Sequence, residues 1–313
     1  MIDRTEEEIK KNWAKDAPIL LSICCITYNQ KEYIEQCIDS FLLQDTNFPF
    51  EIIIHDDASI DGTIKVLQEY ERSYPNIISV LYEEENQYSK GVRGIFVKFV
   101  FPHAKGKYIA LCEGDDYWID ENKIQRQVDY LNKNNRCSLL AENTIVKNSI
   151  KQSEYLFSET ESKEYTLNEI LMKRKFATSS VLFRKKSIDK FLPDLKISND
   201  TIIFACCATT GVVVYQPNIS SVYRRGMQGV TENTDKYQWA KQNEEWTKQI
   251  YSLFYPDVLK KKNLNYNLFK SFTVAFLDAI KKKHYKIIWI ILLKLFQYFK
   301  IHYIFLFIKE HLC

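Results

Sequence analysis

The sequence predicts an α/β fold, with a mostly parallel sheet flanked by helices and continued by a helical C-terminal region. Three observations carry that prediction. Short, β-branched apolar runs alternate with stretches whose apolar residues recur at helical spacing, the rhythm of βαβ units. The runs lack polar alternation, which suits strands covered on both faces, as parallel strands are. Polar turns follow the runs, at the sheet edge where open sheets of this kind bind ligands.

In chain order, Ile19 to Ile26 is the first strand and ends at Thr27, Tyr28 and Asn29. Ile34, Cys37, Ile38, Phe41 and Leu42 then mark one face of a helix. Glu51 to His55 is the second strand, followed by the polar turn Asp56 to Gly62 and a helix opened by Thr63, with Ile64, Leu67 and Tyr70 facing inward. Ile77 to Tyr82 is expected as a third strand, Phe96 to Phe101 as helical and Lys107 to Cys112 as a fourth strand. Beyond Trp118 the pattern changes. Helices are expected over Lys123 to Leu131 and Tyr165 to Lys173, and strands over Thr178 to Phe183, Gly211 to Tyr215 and Ser220 to Arg224. Lys236 to Tyr251 and Leu264 to Lys282 close the chain as helices, with no internal repeat and no linker-like stretch.

Composition excludes several classes of function. A formal net charge of +3 over 313 residues implies no nucleic-acid-binding field. The N-terminal stretch from Met1 to Asp16 is charged and lacks the apolar core of a secretory signal, so the chain is expected to stay in a reducing compartment. The eight cysteines agree. Cys24 and Cys25, like Cys206 and Cys207, are adjacent, and no Cys-x-x-Cys spacing occurs, so they read as buried thiols.

Chemistry concentrates in the carboxylates. Glu113, Asp115 and Asp116 lie on a turn opened by Gly114, directly after a buried strand. Such oxygen ligands suit Mg2+ or Mn2+, which take one or two carboxylates and complete their shell with substrate phosphates. One acidic turn alone is more often solvated, or a helix N-cap. A second one, Asp56 and Asp57, at the same sheet edge makes coincidence a weaker explanation. His55 and Asp56 also spell the pair of metal phosphohydrolases, but the other four histidines are scattered.

Here the sequence resembles a family. Ser22 to Asn29, Asp56 to Thr63 and Gly106 to Trp118 look like the three ordered motifs of family 2 glycosyltransferases with the GT-A fold, over roughly residues 18 to 135. Ser179 to Arg184 and Tyr223 to Gly229 resemble later elements of bacterial members, so the resemblance extends to about residue 230. It implies an N-terminal extension over 1–17 and a glycosyltransferase domain over 18–230. That domain would comprise a nucleotide-sugar half (18–135) and an acceptor half (136–230), before a helical region over 231–313. Carried over residue by residue, Thr27, Tyr28, Asn29 and Asp57 would contact the base and ribose, with Asp56 shaping that pocket. Asp115 would be the main metal ligand, with Asp116 beside it. The family's usual first acid of that motif is Asp, whereas this chain has Glu113. Arg224 and Arg225 would form a loop closing over the donor diphosphate. Asp200 would be the general base that deprotonates an acceptor hydroxyl for in-line attack. Asp194 is its nearest rival, and helix capping by Asp200 the plain alternative.

The C-terminal stretch from Ile287 to Ile308 is strongly apolar and long enough as a helix to span a bilayer, but Lys294, Gln297, Lys300 and His302 interrupt it. Lys294, Gln297 and Lys300 suggest one polar stripe, and with Lys281 to Lys283 and Lys286 the segment reads as a helix lying on an anionic membrane. A docked core or dimer helix is the alternative, which leaves an oligomer open. The expected function is therefore metal-dependent, inverting transfer from a nucleotide sugar, UDP-linked by preference, at the cytoplasmic face of a bacterial inner membrane. The acceptor would be a lipid-linked saccharide of a capsule or O-antigen. Two rivals remain: transfer to polyprenyl phosphate, and a non-catalytic nucleotide-sugar-binding protein.

Overall fold

The computed structural model describes residues 2–226, 235–254 and 261–298. Gly229 of the expected diphosphate loop, and Lys300 and His302 of the expected membrane helix, lie outside those residues. The chain divides into two compact units, one of residues 1–170 and 174–227, the other of residues 171–173 and 228–313.

The first unit opens with a short capped helix, α1 (Glu6–Lys10), whose Ile9 is buried. The βαβ rhythm follows as β1 (Leu21–Thr27), α2 (Lys31–Leu42), β2 (Phe50–Asp56), α3 (Thr63–Ser73), β3 (Ile78–Tyr82) and β4 (Tyr108–Glu113). The expected helix before β4 is a single π turn, Phe96–Val100, running into a 3-10 turn, Phe101–His103. After β4 come β5 (Tyr117–Trp118), α4 (Lys123–Lys133), β6 (Cys137–Asn148), β7 (Ser153–Leu156), β8 (Lys163–Tyr165) and α5 (Leu167–Met172). The unit closes with β9 (Val181–Arg184), α6 (Lys186–Asp189), α7 (Asp200–Thr210) and β10 (Val212–Arg225).

The sheet runs β3-β2-β1-β4-β9-β6-β10-β5, with β7 paired to β6 and β8 to β10. From β3 to β4 it is parallel. Beyond β4 it is mixed, because β9 runs antiparallel to both β4 and β6 while β10 runs parallel to β6. Apolar residues of β1, β2 and β4 are buried against Ile34, Cys37, Ile38 and Phe41 of α2 and Leu67 and Tyr70 of α3, so the periodic stripes face the sheet as their spacing requires. Seven described cysteines are buried thiols, as expected. The two strands expected over 211–224 are one long strand, which crosses Gln216, Pro217 and Asn218 by an irregularity in register.

One buried charge supports the end of the sheet nearest the polar turns. Lys123 is fully buried, its Nζ 2.8 Å from Gln127 Oε1 and 4.4 Å from the centre of the Trp118 ring. Gln127 and Trp118 in turn donate to the carbonyls of Ser180 and Ser179. Burial pushes the Lys123 ammonium down from 10.5 to about 8, against the pull of Glu142. The unfolded chain therefore holds a proton there that the folded chain has released between those two values, so stability rises with pH across that window. Relative to Lys123→Met, the wild-type protein should gain on the order of 1–3 kcal/mol from pH 8 to 10.5, read by denaturant unfolding at each pH. A flat difference between the two proteins would show that the ammonium keeps its ordinary affinity for protons.

The second unit contains α8 (Lys236–Phe254), α9 (Lys261–Lys281) and α10 (Tyr285–Tyr298). Its core is built from Ala240, Phe272, Ala275, Ala279 and Ile291. Among the described residues, no helix is long and apolar enough to cross a membrane.

Candidate active site

Strand register brings the polar turns together. Thr27 pairs with Asp56, and Ile26 lies between His55 and Glu113, so β1, β2 and β4 end at one level. The ladder continues past the strands: Asp57 N donates to the Thr27 carbonyl and Gly114 N to the Ile26 carbonyl, at 3.0 and 2.9 Å. Gly114 is required here, since a Cβ would sit 2.6 Å from Gln30 Oε1 and 2.8 Å from Thr27 Oγ1.

The turns after β1 and β2 are tied to each other. Asn29, at φ 50°, accepts from Ile60 N at 2.8 Å and donates its own N–H to Ser59 Oγ at 2.8 Å. Asp56 is buried; its Oδ2 accepts from Ser59 N at 2.9 Å, and burial raises its pKa. Asp57 accepts from Gln87 N at 2.7 Å and Tyr88 N at 3.1 Å, which fastens the loop after β3 to the same edge. Thr27 is buried and Tyr28 half-buried beside them. His55 is wholly buried on a strand, its Nε2 3.3 Å from Glu83 Oε1. It faces the interior, where a phosphohydrolase ligand would need access to substrate.

The turn after β4 gathers like charges. Burial, opposed by Arg174 and reinforced by Asp115 and Asp200, pushes the Glu113 carboxyl up to about 7. Asp115 is also raised by burial. Asp116 is raised well above the usual carboxylate range by burial and by the charges of Glu113 and Asp115. Among the described residues, no three His, Cys, Asp or Glu side chains could cage a metal ion unaided. Mg2+ or Mn2+ takes one or two carboxylates and completes its shell with phosphate oxygens, and Asp115 and Asp116 are the carboxylates that would serve here. Crowded, desolvated carboxylates fit a cation that arrives with its substrate.

Of the two arginines expected at this turn, Arg224 alone reaches it. The backbone N–H of Arg224 donates to Asp116 Oδ1 at 2.9 Å, and its guanidinium donates to the Asp115 carbonyl and Gln36 Oε1 while lying 4.4 Å from the Tyr117 ring centre. Arg225 is not brought to the acids; it is exposed, 3.5 Å from the Tyr155 hydroxyl on β7. Alternation along β10 separates these two neighbours.

Arg174 is the residue that sequence reasoning missed. Its Nε lies 3.0 Å from Asp200 Oδ2, and its Nη2 donates to Thr178 Oγ1 at 2.7 Å. The guanidinium also lies 5.6 Å from the ring centres of Phe157 and Tyr223. Burial works against its charge, but Asp200 and Glu113 outweigh burial and hold it protonated. Asp200 does not cap α7: Asn199 does, accepting from Ile202 N at 2.9 Å. That leaves the Asp200 carboxylate directed at Arg174, in the electrostatic reach of Glu113. Asp194 is exposed at the end of a 3-10 turn. The only hint of Arg174 in the sequence is a basic run, Lys173 to Lys175, which ordinarily marks a solvated face.

Comparison with known proteins gives the family and the fold. A family model described as Glycosyl transferase family 2 matches residues 22–191, more than half of the chain. An uncharacterized protein of Mycobacterium tuberculosis is 34% identical over 212 residues, covering 67% of this chain and 60% of that protein. The chain thus spans less than two thirds of that relative's length. The Escherichia coli UDP-Glc:alpha-D-GlcNAc-diphosphoundecaprenol beta-1,3-glucosyltransferase WfaP is 37% identical over 112 residues, covering 36% of this chain and 41% of WfaP. Among solved structures, Staphylococcus aureus TarS 1-349 in complex with UDP-GlcNAc has a TM-score of 0.63 at 17% identity, covering 85% of this chain and 76% of that one. The mannosyltransferase PcManGT of Pyrobaculum calidifontis, in complex with GDP-Man and Mn2+, has a TM-score of 0.53 at 14% identity, covering 85% and 78%. These two likenesses establish the fold as GT-A.

Proposed function

The chain belongs to glycosyl transferase family 2, and from that membership we propose that it transfers a sugar from a UDP-sugar to a hydroxyl of a growing, lipid-linked surface polysaccharide, with inversion and with Mn2+ or Mg2+. The observation that carries this reading is the gathering of Glu113, Asp116 and Asp200 around Arg174, with Asp115 next to Glu113 and in reach of Arg224. UDP-GlcNAc in the TarS complex and the lipid-linked acceptor in the name of WfaP support the choice of donor and acceptor class. Such an acceptor would place the reaction at the cytoplasmic face of the inner membrane.

Thr27, Tyr28 and Asn29, with the turn that Asp56 and Asp57 organise, would take the base and ribose. Asp115 would hold the metal, with Asp116 beside it, and the metal would neutralise the charge that develops on the leaving diphosphate. Arg224, held at the acidic turn by Asp116 and Tyr117, would face that diphosphate. Asp200 would accept the proton of the acceptor hydroxyl as oxygen attacks the anomeric carbon from the side opposite the leaving group. Glu113 would have a smaller part, standing where the family's motif usually has Asp.

The test is a panel of UDP-, GDP- and dTDP-sugars, following nucleotide release with and without Mn2+. Release from UDP-sugars that depends on the metal is the expected result. Donor binding without any release would favour a binding protein instead, and metal-independent release would remove the site assigned to Asp115. Near-normal turnover by Asp200→Asn would turn the acceptor into an already anionic polyprenyl phosphate, which needs no base.

A further inference from the structure

On α10, Tyr285, Trp289, Leu293 and Phe296 are 69, 72, 71 and 77% exposed. At about 100° per residue they fall within roughly 80° of arc, one stripe along the helix. The opposite face is spoken for: Ile291 is fully buried, and Ile287, Ile288, Leu295 and Tyr298 pack around the same core. The helix is therefore apolar on two faces, of which its own unit covers one.

Lys294 does not belong to an outward polar stripe, as its spacing from Gln297 had suggested. Its Nζ lies 2.8 Å from Glu244 Oε1 on α8, where Lys248 and the Tyr298 hydroxyl also meet that carboxylate. With the lysine drawn aside, the outward face carries two aromatic rings and a leucine side by side, plus Tyr285 at its start. α9 likewise exposes Leu277 and Ile280, at 54 and 47%.

Charge selects the occupant. Lys281, Lys283 and Lys286 are exposed at the start of this stripe, and Lys282 beside them is paired with Asp278. No acidic residue occurs over 281–298, and residues 281–313 hold seven lysines against one glutamate. Since the whole chain carries +3, the remainder carries −3, so positive charge is concentrated at this end. We propose that the outward face of α10, with Lys281, Lys283 and Lys286, docks on an anionic lipid bilayer. A bilayer surface offers apolar depth for Trp289, Leu293 and Phe296 and phosphate groups for the lysines. A second copy of the same face would bring lysines and no carboxylate to meet them. Over its described residues α10 has 14, against the ~20 a span needs, and the proposed contact is along its outward face. This inference stands apart from the acceptor assignment, because it depends on the surface of the second unit alone.

The full-length protein should co-sediment with vesicles of phosphatidylglycerol in phosphatidylcholine and much less with phosphatidylcholine alone, with the difference shrinking at high salt. Trp289→Ser, Leu293→Ser and Phe296→Ser combined should lower vesicle partitioning at least about tenfold. Lys281→Gln, Lys283→Gln and Lys286→Gln combined should erase the preference for anionic vesicles. Both variants should keep the thermal midpoint and nucleotide release of the parent, which separates this result from any failure of the catalytic assignment. The proposal is overturned if wild-type protein ignores anionic vesicles or if the serine variant binds them equally. It is also overturned if the serine changes turn a wild-type dimer into a monomer, which gives the face to a second copy. Binding that appears only after residues 299–313 are removed would give the face to that segment.

Discussion

Asp115→Asn is expected to lower sugar transfer by about 10²–10³-fold, the loss typical of removing one group that stabilises developing charge. The thermal midpoint should stay level or rise slightly. The reason lies in the crowding of the turn after β4. Burial disfavours the charged form of Asp115, and its charge raises both Glu113 and Asp116. Asn keeps the shape and removes one of three mutually repelling charges, so folding loses nothing while metal affinity falls. A rise in the Mn2+ concentration needed for half-maximal activity would accompany the loss. Asp116→Asn should likewise leave folding intact, because Asp116 Oδ1 accepts from the Arg224 backbone at 2.9 Å and an amide oxygen can keep that bond. Undiminished turnover by Asp115→Asn at the same Mn2+ requirement would sink the assignment of the main ligand.

The parallel half of the fold and its three turns were legible because their signals are local. Ile23 to Cys25, Ile52 to Ile54 and Tyr108 to Cys112 need no partner to be recognised as buried strands, and the helical spacing of Ile34, Cys37, Ile38 and Phe41 is self-contained. The central strand β6 was not legible. Its Glu142, Asn143 and Thr144 are all buried, and a polar run of that kind reads as loop until its neighbours in the sheet are known. Glu142 is held there by Arg126, at 2.8 Å, a partner on α4. β10 was read in two pieces because Pro217 and Asn218 are turn residues by composition, while the sheet absorbs them as an irregularity. The acids of the candidate site were found by position, but the cation among them was not. Arg174 sits in a basic run, and only the folding of α7 against it distinguishes it from Lys173 and Lys175. Lys294 failed in the same way, since its partner Glu244 lies 50 residues earlier.

Arg174 also carries the second large effect. Its guanidinium is anchored by Thr178 through Nη2 and forms an ion pair with Asp200, Nε lying 3.0 Å from Oδ2, so it places a fixed positive charge beside that carboxylate. A single ammonium on a flexible stem cannot both bond Thr178 and keep a charge at that place beside Asp200. Arg174→Lys should therefore fold close to normally and bind donor with little change in KM, while kcat falls about tenfold or more. Arg174→Ala should go further and lose stability as well, since Asp200, Glu113 and Asp116 would then share a half-buried site without their cation. The decisive comparison is the double variant. If Arg174 acts through Asp200, then Asp200→Asn alone should cost about 10²–10⁴-fold in kcat, the range for a lost general base. Adding Arg174→Lys to it should cost little more, because the group being positioned is already disabled. Strictly additive losses would mean that Arg174 acts on the donor directly. A large rise in donor KM for Arg174→Lys alone would point the same way, toward the diphosphate and away from Asp200.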